Sequence, residues 1–201
     1  MRNFWIIFAI ISLLTPSLSA ADVTTIDKTN TVGMGVNLGF SSLYGGWVKE
    51  AFRGGIGIGG QVSYNFTGSL GVVSTLYYQW TRQTPFLKHS FGGGAMHILS
   101  LSIGPRFTFR IASEMNPLLD ILFGYNQINI KGGIGEHSET LYSLGARFGV
   151  EFFLAKKFSI TPAMGFIYML KDFDTNGLYL PPQDNRRAEM IPFSVELQFY
   201  I

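Results

Sequence analysis

Six ionisable residues stand out in a chain where only 14% of residues are charged. Arg106, Arg110 and Arg147, with Asp120, Glu151 and Glu196, all fall on one side of a two-residue alternation. The other side of that alternation is apolar, as in a strand with two unlike faces. Three cations and three anions can neutralise one another. In an enclosed space they must, because an unpaired buried charge costs several kcal/mol. The spacing predicts a ladder of ion pairs joining Arg106, Asp120, Arg147 and Glu151 across three neighbouring strands. It also predicts a contact from Arg147 to Glu196 across Gly165, which has no side chain in the way. Such a network either plugs a narrow interior or lines a gated, very narrow pore.

Catalytic chemistry is harder to find. A hydrolase needs a nucleophile, a base and a group that orients the base. The histidines are His89, His97 and His137, and only His137-Ser138-Glu139 brings the three residue types together. Adjacent residues of an extended chain point to opposite sides, so this triplet is read as a solvated loop. Three scattered histidines have no metal-ligand spacing. With no cysteine there is neither a disulfide framework nor a lipobox cysteine. No catalytic, cofactor or metal residues are expected. A formal charge of +2 is too small to argue for nucleic acid.

The charged residues need strands to carry them. The clearest is the last, Met190 to Ile201. Ile191, Phe193, Val195, Leu197, Phe199 and Ile201 share one face; Pro192, Ser194, Glu196, Gln198 and Tyr200 share the other. A strand of this kind at the chain end needs a partner, and pairing with the first strand removes both edges. Similar alternation predicts seven more strands, over 32–40, 56–66, 70–80, 99–110, 119–126, 142–152 and 158–168. Long connections at 42–54, 82–94, 131–139 and 171–189 alternate with short turns at 67–69, 112–116 and 155–157. Strands of this length, alternately joined, predict an all-β, eight-stranded antiparallel up-and-down transmembrane β-barrel. Pro105, Pro162 and Pro192 each remove a ladder donor, so bulges or strand ends are expected there.

Volume decides which face looks in. About 40 large apolar side chains exceed what an eight-stranded interior holds, whereas Gly, Ser and Thr suit it. The apolar face therefore meets lipid. Trp80, Tyr125 and Tyr168 lie toward the long loops, and Tyr64, Phe107, Phe109, Phe152, Phe158 and Phe199 toward the short turns, as two interfacial girdles. Residues 1–21 read as a cleaved signal peptide: Arg2, an apolar stretch from Phe4 to Leu14, then small residues with cleavage after Ala20 or Ala21. Residues 22–30 read as a periplasmic lead-in and 31–201 as the barrel domain.

On these features the chain resembles the small eight-stranded bacterial outer-membrane proteins of the OmpA barrel domain, OmpX and OmpW type. Members usually end in an aromatic read by the assembly machinery; here Ile201 follows Phe199 and Tyr200. The resemblance implies a monomer in the outer membrane, in contact with lipid and lipopolysaccharide. It also implies that the assembly machinery recognises the C-terminal strand. The expected role is non-enzymatic, structural or adhesive, through the outer loops. Trp47, Phe86, Phe91 and Tyr179 are the candidates for an extracellular ligand, since exposed apolar groups usually have partners. The alternatives are an OmpW-like narrow pore and a lipid A-modifying enzyme.

Overall fold

The computed structural model describes residues 28–45, 49, 51–85, 93–109, 115–132, 135–172 and 188–201. It forms one closed barrel of β1 (Thr31–Tyr44), β2 (Gly55–Asn65), β3 (Leu70–Arg82), β4 (Gly94–Thr108), β5 (Met115–Gly132), β6 (His137–Ala155), β7 (Phe158–Met169) and β8 (Glu189–Tyr200). Each strand runs antiparallel to the next, and β8 closes on β1 from Gly33↔Tyr200 to Tyr44↔Glu189. The terminal strand thus has a partner on each side and no open edge.

The apolar face is the outer one. Leu38, Ile56, Ile58 and Ile201 are 58–65% exposed. Met34, Val36, Leu101, Phe123, Leu144, Phe148 and Met164 repeat the pattern around the wall. A continuous apolar belt this open is stable only against lipid. The inner face is lined by small and polar groups, and Tyr77 shows how tightly. Its ring lies over Gly57 and Gly59 of β2, where a Cβ on either glycine would overlap it.

Two expectations are corrected. β5 and β6 are 18 and 19 residues long, so only 133–136 join them in place of the long loop expected at 131–139. An 18-residue strand is about 60 Å long, well beyond the roughly 9–11 residues that span a bilayer core. These strands carry the wall past the membrane. Second, the prolines cause no bulge. Pro105 stays level with Val72, Pro162 with Val195 and Pro192 with Ser41. On the opposite side the ladder lapses and resumes in the same register, as from Ile103↔Phe123 to Arg106↔Asp120. A proline lacks one donor, so it interrupts one neighbour and leaves the other intact. The register shift between β6 and β7 lies at Phe153/Ala155, beside a short turn.

Candidate functional site

The lumen is built in three layers. At the short-turn end, register alone places Arg106 level with Asp120, and Asp120 level with Arg147. Arg106 holds Asp120 with a fork, Nε to Oδ1 at 2.8 Å and Nη2 to Oδ2 at 3.0 Å. Arg147 donates to the same carboxylate, Nε to Oδ2 at 2.8 Å and Nη2 at 2.5 Å, and its Nη1 pairs with Glu196. All four side chains are buried, and such forked pairs are the strong form of the charged hydrogen bond.

The sequence-predicted residues do not all join this cluster. Glu151 turns away from Arg147. It accepts from Lys28, from the Tyr200 hydroxyl and from Ser159 Oγ at 2.8 Å. Four residues along β6 separate the two, about 13 Å of strand, and Asp120 already occupies Arg147. Glu196 does meet Arg147, but its level neighbour on β7 is Thr161 and not Gly165. Strands of a barrel are tilted, so residues facing across one strand contact diagonally. Arg110 lies outside the described residues, as do Trp47, Phe86, Phe91, Tyr179 and positions 1–27.

Lys28 is the residue that sequence reasoning missed. It was assigned to a polar lead-in, yet it is buried, with its ammonium 4.6 Å from the Phe153 ring centroid and 4.8 Å from that of Tyr200. Tyr200 bonds Gln198 at 3.1 Å, and Gln198 accepts from Arg106 at 3.4 Å. One polar network therefore runs from Lys28 to Glu196. Among the described residues its ion pairs balance three cations, Lys28, Arg106 and Arg147, against Glu151, Asp120 and Glu196.

Above it lies a chamber of about 70 Å³ lined by Asn37, Ser41, Gln79, Ser100 and Arg147 among others. Asn37 Oδ1, Ser41 Oγ and Gln79 Nε2 have no protein partner there. The space suits a handful of waters, roughly one per 15 Å³ open to them. At the long-loop end the lumen turns apolar. Leu43, Phe52, Met96, Ile98, Ile130, Met169 and Met190 form a buried cluster, each at most 4% exposed. This was not foreseen. The signal was present in β5, where the inward phase passes from Asn126 to Ile128 and Ile130 while the outward phase passes from Tyr125 to Gln127 and Lys131.

His137, Ser138 and Glu139 do not assemble into a triad. Ser138 faces outward and bonds Asn129 at 2.7 Å, while His137 Nε2 lies 3.7 Å from Glu139 on the other face. His97 Nδ1 bonds the Tyr78 hydroxyl at 2.5 Å on the outer wall. Among the described residues there is no group of three or more potential metal ligands.

A family model described as outer membrane protein beta-barrel domain matches residues 8–199. No curated protein sequence matches the chain. Solved structures do. Neisserial surface protein A is 12% identical with a TM-score of 0.58, covering 84% of this chain and 96% of that one. Ail, the attachment invasion locus protein of Yersinia pestis, is 14% identical with a TM-score of 0.54, covering 86% and 99%. OprG of Pseudomonas aeruginosa is 10% identical with a TM-score of 0.52, covering 86% and 96%. At these identities the likeness is one of fold.

Proposed function

The chain belongs to the outer membrane protein beta-barrel domain family and sits in the bacterial outer membrane, and on that footing we propose that it is a sealed anchor which works through its outer end. The reading is non-enzymatic: adhesive or structural contact made by the outer loops, with Trp47, Phe86, Phe91 and Tyr179 as contact candidates. One observation carries it. The lumen is crossed at its outer end by a buried apolar cluster from Leu43 to Met190. Such a layer opposes the passage of water and ions, which would have to displace it. The Arg106–Asp120–Arg147 network is a second barrier below. The fold likeness to Ail, solved in complex with the heparin analogue sucrose octasulfate, supports a search among extracellular polyanions first.

The narrow-pore reading requires both barriers to open, and the lipid A-modifying reading requires Ser138 to face His137. The barrel is taken to be a monomer, with Phe199 and Tyr200 as the part of the last strand that the assembly machinery reads. The test is single-channel conductance of the refolded protein in a planar bilayer, with folding checked by a heat-dependent gel shift. A silent bilayer together with loop-dependent binding of heparin-coated beads is expected. Discrete, reproducible steps would sink the sealed-anchor reading. A lipid A mass spectrum altered by deleting the protein would replace it with the enzymatic one.

A further inference from the structure

The short-turn end of the lumen holds a site that the sealing argument does not use. The residues leading into β1 make a turn there. The Thr31 amide donates to the Lys28 carbonyl at 3.2 Å, and Thr31 Oγ1 donates to the same oxygen at 2.7 Å. Asn30 takes a left-handed φ of 59°, which asparagine tolerates better than most residues. Its amide donates to the Asn65 carbonyl at 2.8 Å, which pins the turn to β2. From this anchor the Lys28 side chain crosses the ring of strands to reach Glu151 of β6.

What receives Lys28 is held in place without it. Glu151 is fixed by Ser159 Oγ at 2.8 Å and by the Tyr200 hydroxyl. That hydroxyl lies 3.1 Å from Gln198, whose Nε2 donates to Ser63 Oγ at 2.7 Å. The Phe153 and Tyr200 ring centroids are 5.9 Å apart, with the planes tilted by 33°. The Lys28 ammonium sits over both rings, donates to the Tyr200 hydroxyl at 3.3 Å and pairs with Glu151. A buried primary ammonium needs a counter-charge, acceptors for its N–H groups and a lining that is apolar yet attracts a cation, and a carboxylate beside two aromatic faces supplies all three. Arg106 and Arg147 are already committed to Asp120 and Glu196. Without Lys28, Glu151 would be a buried anion short of its cation.

We propose that Glu151, Phe153 and Tyr200 form a receptor for a primary alkylammonium, and that Lys28 is its tethered occupant, a latch across the lower mouth of the barrel. The latch ties three parts of the wall together. Lys28 enters from the β1 side, Glu151 and Phe153 belong to β6, and Tyr200 ends β8. It therefore clamps the seam between β1 and β8 at its lower end, where Val32 and Ile201 exchange backbone hydrogen bonds at 3.2 and 2.9 Å. A short tether holds its ligand at an effective concentration on the order of millimolar, so dilute free amines leave the latch shut. The outer apolar cluster takes no part, so the latch does not depend on whether the lumen is sealed above.

The test is chemical rescue in the refolded full barrel, read by amide hydrogen exchange at Val32 and Ile201. Lys28→Ala removes the side chain beyond Cβ, which n-propylammonium replaces atom for atom. Exchange at the seam should quicken at least about tenfold in this variant, the scale of one desolvated cation–π contact. n-Propylammonium should restore protection with a saturable dose dependence. 1-Propanol, of the same shape without the charge, and tetramethylammonium, a cation without N–H donors, should not. Lys28→Met keeps the length and drops the charge; it should exchange fast and gain nothing from the amine, because its own side chain fills the receptor. The double variant Lys28→Ala/Glu151→Gln should not be rescued, and the wild type should be indifferent to the amine. A heat-dependent gel shift shows first that each variant is folded. If Lys28→Ala refolds only with n-propylammonium present, the receptor is supported; if it refolds with neither the amine nor 1-propanol, the receptor is overturned. Wild-type exchange in Lys28→Ala overturns the latch, and rescue that is absent, or equal with 1-propanol or tetramethylammonium, overturns the receptor.

Discussion

The two ends of this barrel follow opposite rules in the same strands. In β5 near its start, Asp120 points in and Ile121 points out; near its end, Ile130 points in and Lys131 points out. The alternation never slips by a residue, yet its polarity reverses. The lower part is surrounded by lipid, so its outer face must be apolar and its polar groups turn inward to satisfy one another. The upper part is surrounded by water, so it has the ordinary arrangement, apolar inside and polar outside. The reversal marks the membrane boundary on each strand, between Tyr125 and Gln127 on β5 and between Tyr142 and Thr140 on β6.

The comparison can be broken most sharply at Asp120. Asp120→Ala leaves Arg106 and Arg147 without the carboxylate they share, and a broken buried pair costs about 3–5 kcal/mol. Urea unfolding followed by the gel shift should register that loss; an unchanged midpoint would mean the network is not what holds the lower layer. Next comes the wall itself. Ile121→Lys puts a cation against lipid and should cost about 2–4 kcal/mol, depending on depth. In the upper layer, Ile128→Val removes one methylene from the apolar cluster and should cost about 1 kcal/mol. Amide hydrogen exchange should then quicken at the tips of β5 and β6 and leave the Asp120 region unaltered. The smallest effect is expected at Gln127→Lys, on the same outward face as Ile121 but beyond the boundary. It should stay within about 0.5 kcal/mol. If Ile121→Lys and Gln127→Lys cost the same, the boundary is drawn in the wrong place.

Much of the architecture was legible because period two is a local property. Ile191, Phe193, Val195, Leu197 and Phe199 announce both a strand and its lipid-facing side without reference to any neighbour. The pairing of Arg106 with Asp120 was nearly as accessible, since the short turn between β4 and β5 sets their register. The length of β5 and β6 was not, because their upper ends obey the rule for water and were taken for loop. The prolines misled in the other direction: the loss of one donor was read as a bulge, where the sheet simply skips a bond on one side.

What the sequence determined by itself was the number of strands and the faces of their membrane-spanning parts, both consequences of alternation and composition. Tertiary closure decided the rest. Lys28 joins Glu151 across 123 residues only because the ring of strands brings β6 beside the chain leading into β1. Arg53 meets Arg82 only once β2 and β3 are paired. Contacts of this kind depend on tilt and on the diameter of the closed ring, and no stretch of residues encodes either one locally.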